Sequence, residues 1–153
     1  MAGLADILLQ HHRHCDQFFA LALEAAAASD WEGFKRQIAA LHGELDRHID
    51  FEETDLFPAF EHASGLSAGP TQVMRAEHAE MRELLDALGA AQPRIDPEGC
   101  RAELEQLRAI LQAHNVKEET VLYPACDQLL GARTDLLDGA QALIDRAPSI
   151  ASH

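Results

Sequence analysis

The chain has 153 residues, enough for one domain with a substantial core, and 47% of them are hydrophobic. Its formal net charge of −14 argues against a nucleic-acid backbone or an anionic membrane as partner. Three cysteines without C-x2-C spacing, no N-terminal signal segment and no apolar run near the ~20 residues that span a bilayer suggest a soluble, cytoplasmic protein.

Alanine, leucine, glutamate and glutamine are plentiful and β-branched residues few, which predicts an all-α fold. The first helix is expected from Leu4 to Ala28 and carries His11, His12, His14 and Cys15. Asp30 reads as the N-cap of a second helix that begins near Trp31. Its inner stripe is Phe34, Ile38, Leu41, Leu45, His48 and Glu52, at alternating spacings of four and three, the seam of a helical bundle. Pro58 is expected to perturb its far end, and residues 63–70 read as a loop. Thr71 is expected to cap a third helix with Met74, His78, Met81, Leu85 and Leu88 on its seam. Asp96-Pro97 reads as N-cap and first helical residue of a fourth, whose seam is Cys100, Leu104, Leu107, Leu111, His114, Glu118 and Val121. Residues 1–130 thus form an antiparallel up-down four-helix bundle. A short fifth helix, Thr134 to Arg146, packs outside with Leu136, Leu137, Ala140, Leu143 and Ile144 inward, and a frayed tail completes 131–153.

Residues 48–58 and 114–124 share the skeleton His-x3-Glu-Glu-Thr-x-Leu-aromatic-Pro, sixty-six positions apart. The same offset carries Asp30 to Asp96, the second seam onto the fourth, His12 to His78 and Cys15 to Met81. The chain therefore reads as two related helical hairpins, each giving one lone histidine and one His-x3-Glu pair on a single helix face. The resulting set is His12, His48, Glu52, His78, His114 and Glu118, with His11 and His14 as first-helix alternates. A carboxylate in an apolar seam costs several kcal/mol unless neutralised or bound to a cation, and metal ligation satisfies carboxylates and imidazoles together. Four imidazoles and two carboxylates without thiolate suit iron, with manganese or zinc as alternatives. Two carboxylates from opposite helices can bridge two ions roughly 3.5–4 Å apart. Glu53 and Glu119, one position off the seams, read as solvated or as supports for the ligands. His42 and His62 fall off the pattern and read as surface residues, and His153 as terminal; Cys15 reads as a small buried hydrophobe with a redox role as the alternative.

On these residues the chain resembles the hemerythrin-like, HHE cation-binding domain family. The motifs are His48-x3-Glu52-Glu53 with Leu56-Phe57-Pro58, Glu77-His78, and His114-x3-Glu118-Glu119 with Leu122-Tyr123-Pro124, over about residues 4–130. The stretch from Gly69-Pro70 to Glu77-His78 is also similar to the Ric-type branch, which repairs iron centres. The resemblance implies a non-haem di-iron site with oxo and carboxylate bridges that binds or reacts with O2, NO or peroxide. Oxygen-carrying hemerythrins have a further histidine one turn before the third-helix ligand; here that position is Met74, and Arg82 lies one turn after. The departure leaves an extra open coordination position unless His11 or His14 fills it, favouring reactive or sensing chemistry over oxygen carriage. Iron donation to damaged iron–sulfur centres ranks second, because the chain shows no separate cysteine-bearing docking domain. A metal-free phosphotransfer bundle is the third reading and needs a solvent-facing histidine. There is no nucleophile–His–Asp pattern, no glycine-rich phosphate loop and no basic patch to support a hydrolase, kinase or nucleotide enzyme. The pattern leaves catalytic turnover and oligomeric state open.

Overall fold

Aspartate starts two helices in the same way. Asp30 and Asp96 each accept a hydrogen bond from the backbone N–H three residues on, at Gly33 and Gly99, both 3.0 Å long. The capping carboxylates lie so close that a Cβ at Gly33 or Gly99 would have to displace them. In the computed structural model, which describes residues 2–148, every regular element is helical.

Helix α1 spans Leu4–Ala27, one residue shorter than expected, and Ser29 turns the chain in the left-handed region at φ 54°. Helix α2, Trp31–Phe51, runs into a π-helical turn, Glu52–Leu56, and continues as α3, Phe57–Ser64. Helix α4 is Pro70–Ala90, and α5, Pro97–Lys117, passes through a second π turn, Glu118–Leu122, into α6, Tyr123–Leu130. Helix α4 is capped by Gly69 rather than Thr71. Proline suits its first position because it has no N–H to satisfy. The Thr71 hydroxyl instead donates to Glu61 at 2.6 Å, tying the start of α4 to α3. Helices α1 and α4 each lie against both α2 and α5, giving the expected bundle; α7, Thr134–Asp145, packs across α1 and α2.

The π turns have a local cause. Pro58 and Pro124 cannot donate a helical hydrogen bond, and the proline ring clashes with the carbonyl four residues back. The helix widens by one residue instead of breaking: Phe57 N–H bonds to the Glu52 carbonyl and Tyr123 N–H to that of Glu118, five residues earlier. The Glu53 carbonyl accepts from Arg75 at 3.4 Å. Pro58 thus leaves the rod continuous. The extra residue also shifts the seam, so Val121, expected inside, is 62% exposed, whereas Leu122 is buried.

Two apolar clusters fill the bundle. One gathers Phe18, Phe34, Ile38, Leu41, Leu85 and Leu107 at the end near the Asp30 and Asp96 caps. The other gathers Leu8, Leu56, Phe60, Met74, Leu122 and Leu136 towards α7. Each large side chain buried in them contributes about 1.5–3 kcal/mol of hydrophobic stabilisation. Between the two lies a polar layer.

Candidate metal centre

That layer is built where each rod changes from one cluster to the other. α1 supplies His12, α2 His48, the π turns Glu52 and Glu118, α4 His78 and α5 His114, and all six are at most 3% exposed. The two oxygens of Glu52 face different helices: Oε2 lies 3.4 Å from His48 Nε2 and Oε1 3.1 Å from His78 Nε2. Oε1 of Glu118 is 3.2 Å from both His12 Nε2 and His114 Nε2. Ligand atoms of Glu52, His78, His114 and Glu118 fall within 4.8 Å of one another, as do those of His12, His48 and Glu118.

The outward-facing nitrogens are held as well. Nδ1 of His12 meets Glu119 Oε2 at 2.7 Å, Nδ1 of His78 meets Glu53 Oε2 at 2.7 Å, and Nδ1 of His114 meets Glu77 Oε1 at 2.9 Å. Nδ1 of His48 meets Nδ1 of His11 at 2.8 Å. A proton on each supported Nδ1 leaves the Nε2 lone pair aimed at the centre, the arrangement that orients metal-binding histidines. His11 passes its own Nε2–H to Glu44 at 3.1 Å, and Arg47 holds Glu44 while donating to the Ala142 and Leu143 carbonyls of α7. Burial, then the neighbouring His48 and Arg47, push the His11 pKa down to about 2, so it is a neutral relay.

The six sequence-derived residues are therefore gathered in one layer, and neither alternate belongs to the two groups of neighbouring ligand atoms. His11 turns its nitrogens to His48 and Glu44, and His14 sits edge-on to Phe18, 5.1 Å between centroids. Glu53 and Glu119 are supports rather than solvated side chains. Met74 is buried in the α7-side cluster and Arg82 pairs with Asp50 at 2.8 Å, so neither supplies a donor. His42 stands between Asp46 and Asp86, His62 is exposed, and His153 lies outside the described residues. Cys15 is buried and free, and desolvation drives its thiol pKa far up, as befits a small core residue.

Sequence reasoning missed Tyr123. Its hydroxyl donates to Glu52 Oε2 at 2.6 Å and lies 3.0 Å from Glu118 Oε1, 3.0 Å from His48 Nε2 and 3.1 Å from His12 Nε2. In an α-helix Tyr123 would sit on a different face from Glu118; the π turn brings residues five apart onto one face. Only the proline following the motif carried that signal.

The hemerythrin HHE cation-binding domain model matches residues 3–126. The chain belongs to this family. It is similar to the iron–sulfur cluster repair protein YtfE of Salmonella newport and of Salmonella gallinarum. Each is 32% identical over 143 residues, covering 79% of this chain and 65% of the relative. The chain thus spans 65% of the length of these curated relatives. No solved structure is significantly similar to it. No helix among the described residues is long and apolar enough to cross a membrane.

The charges of the HHE layer fit a cation. Burial opposes protonation of His12, yet its hydrogen bonds to Glu118 and Glu119 outweigh this and raise the pKa to about 9. His114 is raised against the same desolvation, mainly by Glu118. Glu52, though fully buried, is held well below the usual carboxylate range by His48 first, then by hydrogen bonds including those to His48 and His78. The layer demands positive charge, as imidazole protons or as metal. His78 Nε2, Glu52 Oε1 and Glu118 Oε2 are buried without a well-formed hydrogen bond, each with a lone pair available to a metal. These residues fit iron or another divalent cation.

Proposed function

We propose that the layer holds two iron ions and that the protein handles iron in the repair of iron–sulfur centres. His12 and His48 would serve one ion, His78 and His114 the other, with Glu52 and Glu118 shared. The observation that carries the two-ion reading is Glu52, whose two oxygens face imidazoles from opposite halves of the bundle. When bound, iron would supply Lewis acidity and a one-electron redox change at a site screened from water by two apolar clusters. The chain's own contribution is to hold, orient and desolvate: four Nδ1 supports fix the imidazoles, and the π turns aim the carboxylates.

Similarity to proteins named for iron–sulfur cluster repair favours the repair reading over O2, NO or peroxide binding, reversing the order suggested by the motifs alone. Small-ligand binding stands as the second reading, supported by Met74 standing where a further histidine would sit. A phosphotransfer role draws no support from the seam histidines, which are buried. Buried free cysteines suit a reducing, cytoplasmic setting.

The test is to load the protein with iron, count the metal, and mix it with an apo-cluster acceptor. About two irons per chain and reactivation of the acceptor support the proposal. Full loading without transfer returns the function to small-ligand binding, and zinc or manganese at full occupancy after aerobic purification replaces iron.

A further inference from the structure

The two halves of the polar layer differ where the repeat leads one to expect a match. The sixty-six-residue offset pairs Tyr123 with Phe57. Phe57 stacks on His78 with centroids 5.7 Å apart and brings no donor. Tyr123 packs on His12 at 5.5 Å and adds a hydroxyl within 3.1 Å of His12 Nε2, His48 Nε2 and an oxygen of each shared glutamate. It is fully buried and stands among the inward-facing atoms of that half. Of the layer's four seam histidines, the one whose inward nitrogen is left without a hydrogen bond is His78, in the other half.

We propose that Tyr123 is itself a metal ligand, binding through its phenolate oxygen the ion served by His12 and His48. This rests on the two-iron reading. As the bond to iron(III) forms, the phenol O–H breaks and its proton leaves to solvent; no electron moves, and the ion's charge stabilises the phenolate as it does any coordinated acid. The two ions are then inequivalent by one protein donor. The His12–His48 ion is the more fully ligated, and the His78–His114 ion carries the position for an incoming small molecule.

Tyr123 is the only tyrosine in the chain, so any tyrosinate signature belongs to it. The experiment is resonance Raman spectroscopy of the oxidised, iron-loaded full chain, grown with ordinary or ring-deuterated tyrosine, alongside metal content and the visible spectrum of Tyr123→Phe. The expected result is phenolate ring modes that shift with the label and a visible charge-transfer band that Tyr123→Phe abolishes from whatever iron it retains. Full iron content without phenolate modes, or a band unchanged in Tyr123→Phe, overturns the ligand and leaves the two-iron reading intact. Failure of the wild-type chain to bind iron overturns both. Should the variant not fold, the labelled wild type decides alone.

Discussion

His11 and Glu77 perform one task from opposite halves of the molecule. Each reaches the Nδ1 of a seam histidine, His11 that of His48 at 2.8 Å and Glu77 that of His114 at 2.9 Å, and they lie sixty-six positions apart. A neutral imidazole thus stands where its counterpart is a carboxylate. Removing such a support typically costs 10–100-fold in metal affinity. His11→Ala and Glu77→Ala should each weaken iron binding by about that factor without abolishing it, measured by competition with a chelator. Undiminished affinity in both would show the supports to be incidental.

Glu118 and Glu119 are neighbours with different tasks. Glu118→Ala should remove the shared carboxylate and lose metal altogether. On the two-iron proposal, Glu119→Ala should retain both ions with affinity reduced about 10–100-fold, because it frees only the Nδ1 of His12. Metal analysis of the purified variants separates the two outcomes, and equal loss would place Glu119 among the ligands.

The three cysteines should be silent in the native protein. All are buried; desolvation, followed by the fields of Glu52 and Asp127, pushes the Cys126 thiol up to about 12, and Cys15 is raised further. Since the thiolate is the reactive form, a raised pKa means little reaction below that pH. A thiol reagent at pH 8 should label none in the folded state and three after denaturation. Stoichiometric labelling of Cys15 in the native protein would restore its redox role.

Two glycines should respond to alanine in opposite directions. At Gly139 on α7 a Cβ would stand 2.6 Å from Phe51 Cε1, beside Glu52. Overpacking of this kind costs about 1–3 kcal/mol, against a helix-propensity gain of about 1. The clash prevails, and Gly139→Ala should lower stability by up to about 2 kcal/mol. At Gly43, within α2, an added methyl would meet nothing within 4 Å, so Gly43→Ala should raise stability by about 0.4–1 kcal/mol. Denaturant midpoints at fixed metal loading decide both.

The seams of the second and third helices, most of the fourth, both aspartate caps and the gathering of the six proposed ligands in one layer were legible in the sequence because each is fixed by a local rule or by the repeat. Periodicity failed at the π turns, where the regular count of residues per turn no longer holds. It placed Val121 inside and gave no sign of Tyr123. Thr71 was mistaken for a cap because the Gly69-Pro70 start satisfies the helix without it. The His11–Glu44–Arg47 relay could not be foreseen, since its partners are brought together only by packing of α1, α2 and α7.

The polar layer also stands between the two cores of the hydrophobic interior. Such a boundary is weak when the carboxylates are matched by protons alone and strong when metal spans it. The metal-free protein should therefore unfold as two semi-independent units, with amides around Leu8 and Leu136 exchanging on a different free-energy scale from those around Phe34 and Leu107. Metal binding should merge them into one cooperative transition, making the centre the fastener of the fold as well as its chemistry.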